Sequence, residues 1–134
     1  EIIYETYAKT INIEALTMID MAGKQIIPAV VKYTRMLADT VNAVKAAGVD
    51  ASMQTELLRS VGEKLVSMQA SYMELKKVEE QASSMENAKE QAFFYKDTVK
   101  KVMEELRVPA DELEMIVDKE MWPIPTYGEL MFEI

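Results

Sequence analysis

The sequence predicts an all-α fold: an elongated up-down-up three-helix bundle with long helices and an extended Pro/aromatic C-terminal tail. Three observations predict it. Apolar residues recur at alternating three- and four-residue steps along most of the chain, the spacing of helices packed lengthwise on one another. Only 4 glycines and 4 prolines occur in 134 residues, which leaves little material for turns and requires few, long elements. The rest of the composition, rich in Ala, Leu, Met, Glu, Lys and Gln, favours helix throughout.

The first helix is predicted over residues 11–46, with residues 1–10 as a helical lead-in. Its seam reads Leu16, Ile19, Gly23, Ile26, Val30, Tyr33, Leu37, Thr40 and Val44. Pro28 lies inside it and removes one backbone hydrogen bond, but the spacing passes through unbroken, which predicts a kink rather than an end. Up to Val31 the only charges are Glu1, Glu5, Lys9, Glu14, Asp20 and Lys24, while Met18, Met21, Ala22, Ile27, Ala29 and Val31 are apolar off the seam. A helix apolar around most of its circumference has to be covered around most of it.

Gly48 is placed as the left-handed residue that ends this helix, and Asp50 or Ser52 caps the next. The second helix, predicted over 53–82, has the seam Leu58, Val61, Leu65, Met68, Tyr72 and Leu75 and a polar opposite side. A turn follows at 82–84, where Ser83 and Glu86 fit a capping box. The third helix, predicted over 85–119, has the cleanest seam: Met85, Ala88, Ala92, Tyr95, Val99, Val102, Leu106, Pro109, Leu113 and Ile116. Because the step from Leu106 to Leu113 is kept, the helix is expected to run through Pro109, kinked at most. Helices of ~30 residues are ~45–50 Å long, more than the ~35 Å width of a compact sphere of this mass, so the bundle is elongated. The tail, 121–134, begins with two prolines around Ile124, which force extended backbone. Thr126 and Glu129 form a second capping-box pattern there. Dense in aromatics and nearly uncharged, the tail is expected to dock rather than stay solvated.

Composition excludes several functions. A net charge of −8 argues against nucleic acid, which needs a basic face. No apolar stretch reaches the length needed to span a bilayer, and no secretory signal pattern is present. The absence of cysteine and histidine removes thiolate chemistry, His-containing triads and imidazole metal sites. Any chemistry would rest on carboxylates, lysine or tyrosine. The chain opens at Glu1 without methionine, in amphiphilic sequence already, as a piece of a longer protein would.

Two blocks carry a resemblance. Residues 11–22 (Ile-Asn-Ile-Glu-Ala-Leu-Thr-Met-Ile-Asp-Met-Ala) with Ile27-Pro28-Ala29-Val30 and Tyr33, and the ending Leu113-Glu114, Val117-Asp118 and Trp122-Pro123-Ile124-Pro125-Thr126-Tyr127-Gly128-Glu129-Leu130-Met131-Phe132, resemble the C-terminal region of type III glutamine synthetases. Residues 46–86 match in helical texture only. Gly23 and Ile124 depart from the pattern, the first from a better helix former and the second from an aromatic. The resemblance implies a large oligomeric cytoplasmic ligase that joins ammonia to glutamate with ATP and Mg or Mn, its ligands lying upstream of this chain. It implies that residues 1–134 are a single, non-catalytic helical domain holding no catalytic, cofactor or metal residue. The expected partners are the remainder of the enzyme and neighbouring subunits.

The residues singled out as interface candidates are Glu14, Met18, Met21, Ile27, Met36, Trp122, Tyr127 and Phe132. Asp20 can pair with Lys24 in the favourable i, i+4 orientation, whereas Glu14 has no such partner. Asp111, Glu114 and Asp118 share a helix face that could offer oxygens to a hard cation, but with Arg107 nearby a solvated charged stripe is the simpler reading. Most of the 11 methionines fall on or beside seams as core filling; Met18, Met21 and Met36 do not. An alternative function is a free-standing bundle that binds a protein partner through this Met-rich apolar face. An exposed apolar flank is also expected to promote self-association.

Overall fold

The computed structural model describes residues 1–125; the expectations for Thr126, Glu129 and a turn at 127–132 lie outside them. Every regular element among the described residues is helical. They are α1 (Ile2–Met21), a π-helical turn (Ala22–Ile26), α2 (Ile27–Ala46), α3 (Ser52–Ser83), α4 (Ala88–Phe94), a second π-helical turn (Tyr95–Val99) and α5 (Lys100–Ile116). The π-turns join their neighbours without a break, so the chain forms three rods: α1 with α2, α3 alone, and α4 with α5. The first rod starts at Ile2 and takes in the segment treated above as a lead-in.

Two long-range hydrogen bonds fix the arrangement. Tyr95 pairs with Asn12 and Tyr33 with the Ile116 carbonyl, each across 83 positions, so the first and third rods run parallel and in register. Asn12 faces Glu79 and Gly23 faces Tyr72, pairs whose numbers have nearly constant sums, so α3 runs antiparallel between them. The third rod ends at Ile116, level with Tyr33; beyond it α2 and the start of α3 continue as a two-helix end, closed by Leu37, Val41 and Ala51.

The π-turn before Pro28 corrects the first seam. Pro28 has no N–H to give the Lys24 carbonyl, and the ladder ahead of it widens to an i→i+5 bond from Ile27 N–H to the Ala22 carbonyl. One extra residue is taken into that turn, which rotates everything N-terminal to it by one position. Ile26, Val30, Tyr33 and Leu37 are buried as expected, but upstream the inward residues are Ala22, Ala15, Ile11 and Ala8, while Leu16 is 49% exposed. At the far end the seam runs to Val41 instead of Thr40 and Val44.

The other terminators are local. Gly48 takes φ 77°, and the bonds Gly48 N–H to Lys45 O and Val49 N–H to Val44 O complete a Schellman closure. Asp50 accepts from Ser52 N–H at 3.0 Å, capping α3 from just outside it. The Ser83/Glu86 capping box does not form. Ser83 Oγ donates back to the Glu80 carbonyl, which keeps it in the last turn of α3. Asn87 caps the next helix instead, accepting from Glu90 N–H at 3.0 Å. The third seam is buried from Ala92 to Leu113, and α5 runs through Pro109. After Ile116 the backbone becomes extended at Val117. Asp118 then turns the chain, its carbonyl accepting from Met121 and Trp122 N–H and its Oδ1 from Glu120 N–H.

Candidate interface surfaces and a buried polar node

One polar cluster interrupts the core, at the level of Asn12. Glu79 of α3 is 5% exposed and is in none of the ion pairs found among the described residues. Tyr95, at the start of the second π-turn and 1% exposed, donates its hydroxyl to Glu79 Oε2 at 3.3 Å. One phenol proton cannot also serve Asn12 Oδ1. Turning the Asn12 amide resolves this: its nitrogen then donates to the Glu79 carboxylate and, at 3.2 Å, to the Tyr95 oxygen. All three rods are thereby joined through one carboxylate. Burial pushes the Glu79 carboxyl above its ordinary value, against the Tyr95 hydrogen bond, which pulls it down. The Tyr95 hydroxyl is pushed up to about 12, by burial first and then by the Glu79 charge and hydrogen bond. A phenol held that firmly protonated does no acid–base work near neutrality. The node ties the three rods at one level; nothing in the sequence pattern marks it, because Glu79 stands in sequence among the charges Lys76, Lys77 and Glu80.

A second feature is a groove of about 520 Å³ between the first and third rods. Its sides are α1 and α5, and Met68 of α3 lies at its floor. Four of the singled-out residues line it: Glu14, Met18, Met21 and Trp122. Glu14 is exposed on the rim and has no partner among the described residues; Met18 and Met21 are half-buried. Trp122 is 9% exposed, and its indole N–H is buried without an acceptor among the described residues. Ile27 is half-buried against the core and Met36 is 43% exposed on α2, both away from the groove. Tyr127 and Phe132 lie outside the described residues.

The most exposed apolar side chains of α1 are Ile2 (79%) and Ile3 (80%) at its N-terminus and Ile13 (63%) and Leu16 (49%) in its second half. Ile3 and Tyr4 continue onto Phe93 of α4, with the Tyr4 and Phe93 rings 6.2 Å apart, so the N-terminal end carries a contiguous apolar patch. None of Ile2, Ile3 or Phe93 was singled out from the sequence. Ile2 and Ile3 were passed over as part of a lead-in.

The charged groups behave as a solvated surface. Lys24 and Asp20 pair at 3.0 Å, as their spacing predicts. Arg107 lies 3.9 Å from Glu104 rather than on Asp111. Among the described residues no cluster of three or more acidic side chains could hold a metal ion, so Asp111, Glu114 and Asp118 form no such site. No described helix is long and apolar enough to cross a membrane.

Comparison with known proteins points in one direction. The family described as "Glutamine synthetase C-terminal domain" matches residues 1–45, the extent of the first rod. A glutamine synthetase of Bacteroides fragilis is 30% identical over 98% of the chain, and one of Butyrivibrio fibrisolvens is 32% identical over 100%. A type-3 glutamine synthetase of Dictyostelium discoideum is 28% identical over 98%. The chain spans 19% of the length of each.

Proposed function

We propose, from its resemblance along its whole length to the C-terminal region of glutamine synthetases of the type III class, that this chain is the non-catalytic structural domain of such an enzyme. The parent would ligate ammonia to glutamate at the expense of ATP with Mg or Mn, in the cytoplasm, through residues that lie outside this chain. The domain would support the catalytic portion and contacts between subunits. The observation that carries this reading is the apolar patch of Ile3, Tyr4 and Phe93, with exposed Ile2 beside it. It lies largely on the rod that the family match covers. Contiguous apolar surface of this kind marks a protein contact.

The test has two arms. The purified chain, supplied with glutamate, ammonia, ATP and Mg, should form no glutamine; turnover would overturn the non-catalytic assignment. In the enzyme that carries this domain, I3E with F93E should lower the assembly's mass in analytical ultracentrifugation while the domain keeps its helical circular dichroism. An assembly of unchanged mass and activity would remove the contact role.

A further inference from the structure

The groove between α1 and α5 lacks an occupant among the described residues, and the path of the chain points to one. We propose that it is the docking site of this chain's own last nine residues, 126–134, packed within the same molecule. The first observation is continuity. The backbone leaves α5 at Val117, level with Tyr33 of the first rod, and turns at Asp118. Trp122 and Ile124 then already line the groove. Its remaining length, from Ile26 back to Ile13, is ~20 Å at 1.5 Å per helical residue. Nine residues reach ~30 Å when extended, enough to run the groove to its end.

The second observation is chemical. Met18, Met21 and Leu106 give the groove an apolar floor, and Tyr127, Leu130, Met131, Phe132 and Ile134 are the apolar side chains still to be placed. The third is the buried Trp122 indole N–H, which has no acceptor among the described residues. A main-chain carbonyl of a segment lying alongside would supply one, and a buried donor left unpaired costs stability.

Charge gives the docking a signature. Glu14, Asp111 and Glu114 stand on the groove rim, with Arg107 the cation among its lining residues. The tail brings Glu129 and Glu133. The rim therefore repels the tail; apolar contact holds it, and screening by salt should tighten it. A basic partner seated in the same groove would respond in the opposite sense.

Trp122 is the chain's 1 tryptophan, and the chain has no cysteine, so both probes are clean. Ending the chain after Pro125 should red-shift Trp122 emission and increase amide exchange over 13–26 and 103–114. L130D with F132D, which keep the chain length, should do the same with helical content retained. Added salt should increase groove protection in the intact chain and leave the truncated one unaffected. Oxidation of T17C paired with L130C or F132C should give a cross-link within one chain. Emission and exchange unchanged by both variants, or salt loosening the intact groove, would overturn the proposal. So would a cross-link found only between two chains, which would hand the groove to a second copy. Docking of the tail needs nothing from outside the chain, so it can fail while the assembly role above stands, and the reverse.

Discussion

Replacing Tyr95 with phenylalanine removes one hydroxyl from a node that joins all three rods, with little change of volume. The hydroxyl donates to Glu79 Oε2 at 3.3 Å and accepts from the turned Asn12 amide at 3.2 Å. A hydrogen bond to a buried charged group contributes ~1.5–3 kcal/mol. The first exceeds the ~2.7–2.8 Å usual for O–H···O and the second the ~2.9–3.0 Å usual for N–H···O, so the low end applies, about 1.5 kcal/mol at pH 7. For a domain of this size that lowers Tm by roughly 5 °C. The pH dependence is the sharper test. The Glu79 carboxyl is raised in the folded protein, chiefly by burial. Its contribution is fully present below the unfolded value of ~4.3 and is lost as pH rises through the folded value. The Tyr95 hydrogen bond works against that rise, so Y95F lifts the carboxyl further and enlarges the loss between pH 4 and pH 7. Urea unfolding followed by circular dichroism, taken as the difference between variant and parent at each pH, cancels the other titrating groups. A loss equal at the two pH values, or larger at pH 4, would refute the assignment of the node.

Three further substitutions test the local geometry. Gly23→Ala places a Cβ against the Tyr72 hydroxyl and 2.8 Å from Cζ; despite a helix-propensity gain of ~1 kcal/mol, it should lower stability, and Tyr72→Ala should relieve the clash in a double-mutant cycle read by thermal unfolding. Gly48→Ala, at φ 77°, should cost about 1–2 kcal/mol, measurable by urea titration. Asn87→Ala removes the acceptor for Glu90 N–H and should cost ~1 kcal/mol, with faster amide exchange confined to the first turn of α4.

The legible part of the fold was the part governed by periodicity. The third seam, Ala92 to Leu113, could be read straight through Pro109 because its large apolar residues are the buried ones. Gly48 was legible because only a left-handed residue closes that helix end. Choices between near-equal local partners were not. Ser83 and Asn87 both suit a cap, and what excludes Ser83 is its bond back to Glu80, a consequence of where α3 stops. Gly23 read as a weak helix residue until Tyr72 was found against it. The buried node was invisible for a different reason: a single Glu on a charged helix carries no sign of burial until the facing helix brings a phenol to it.

The first seam failed in an informative way. Carrying the three- and four-residue step upstream from Ile26 without a break selects Gly23 and Leu16, each one position past the true inward residues Ala22 and Ala15. Upstream of the π-turn the inward positions include Ala8, Ala15 and Ala22, one every seven residues, so α1 meets its neighbours through methyl groups at close approach. Its bulk lies elsewhere: Met18 and Met21 in the groove, Ile2, Ile3 and Leu16 uncovered. Fully burying one such aliphatic side chain is worth ~1.5–3 kcal/mol. The N-terminal half of this rod mixes Ala8, Ala15 and Ala22 with Ile11 in the core, and leaves Ile2, Ile3, Ile13 and Leu16 exposed. The excess of apolar residues in the first 31 positions therefore divides between the bundle seam, the groove between α1 and α5, and side chains such as Ile2, Ile3 and Leu16 that the described residues leave exposed.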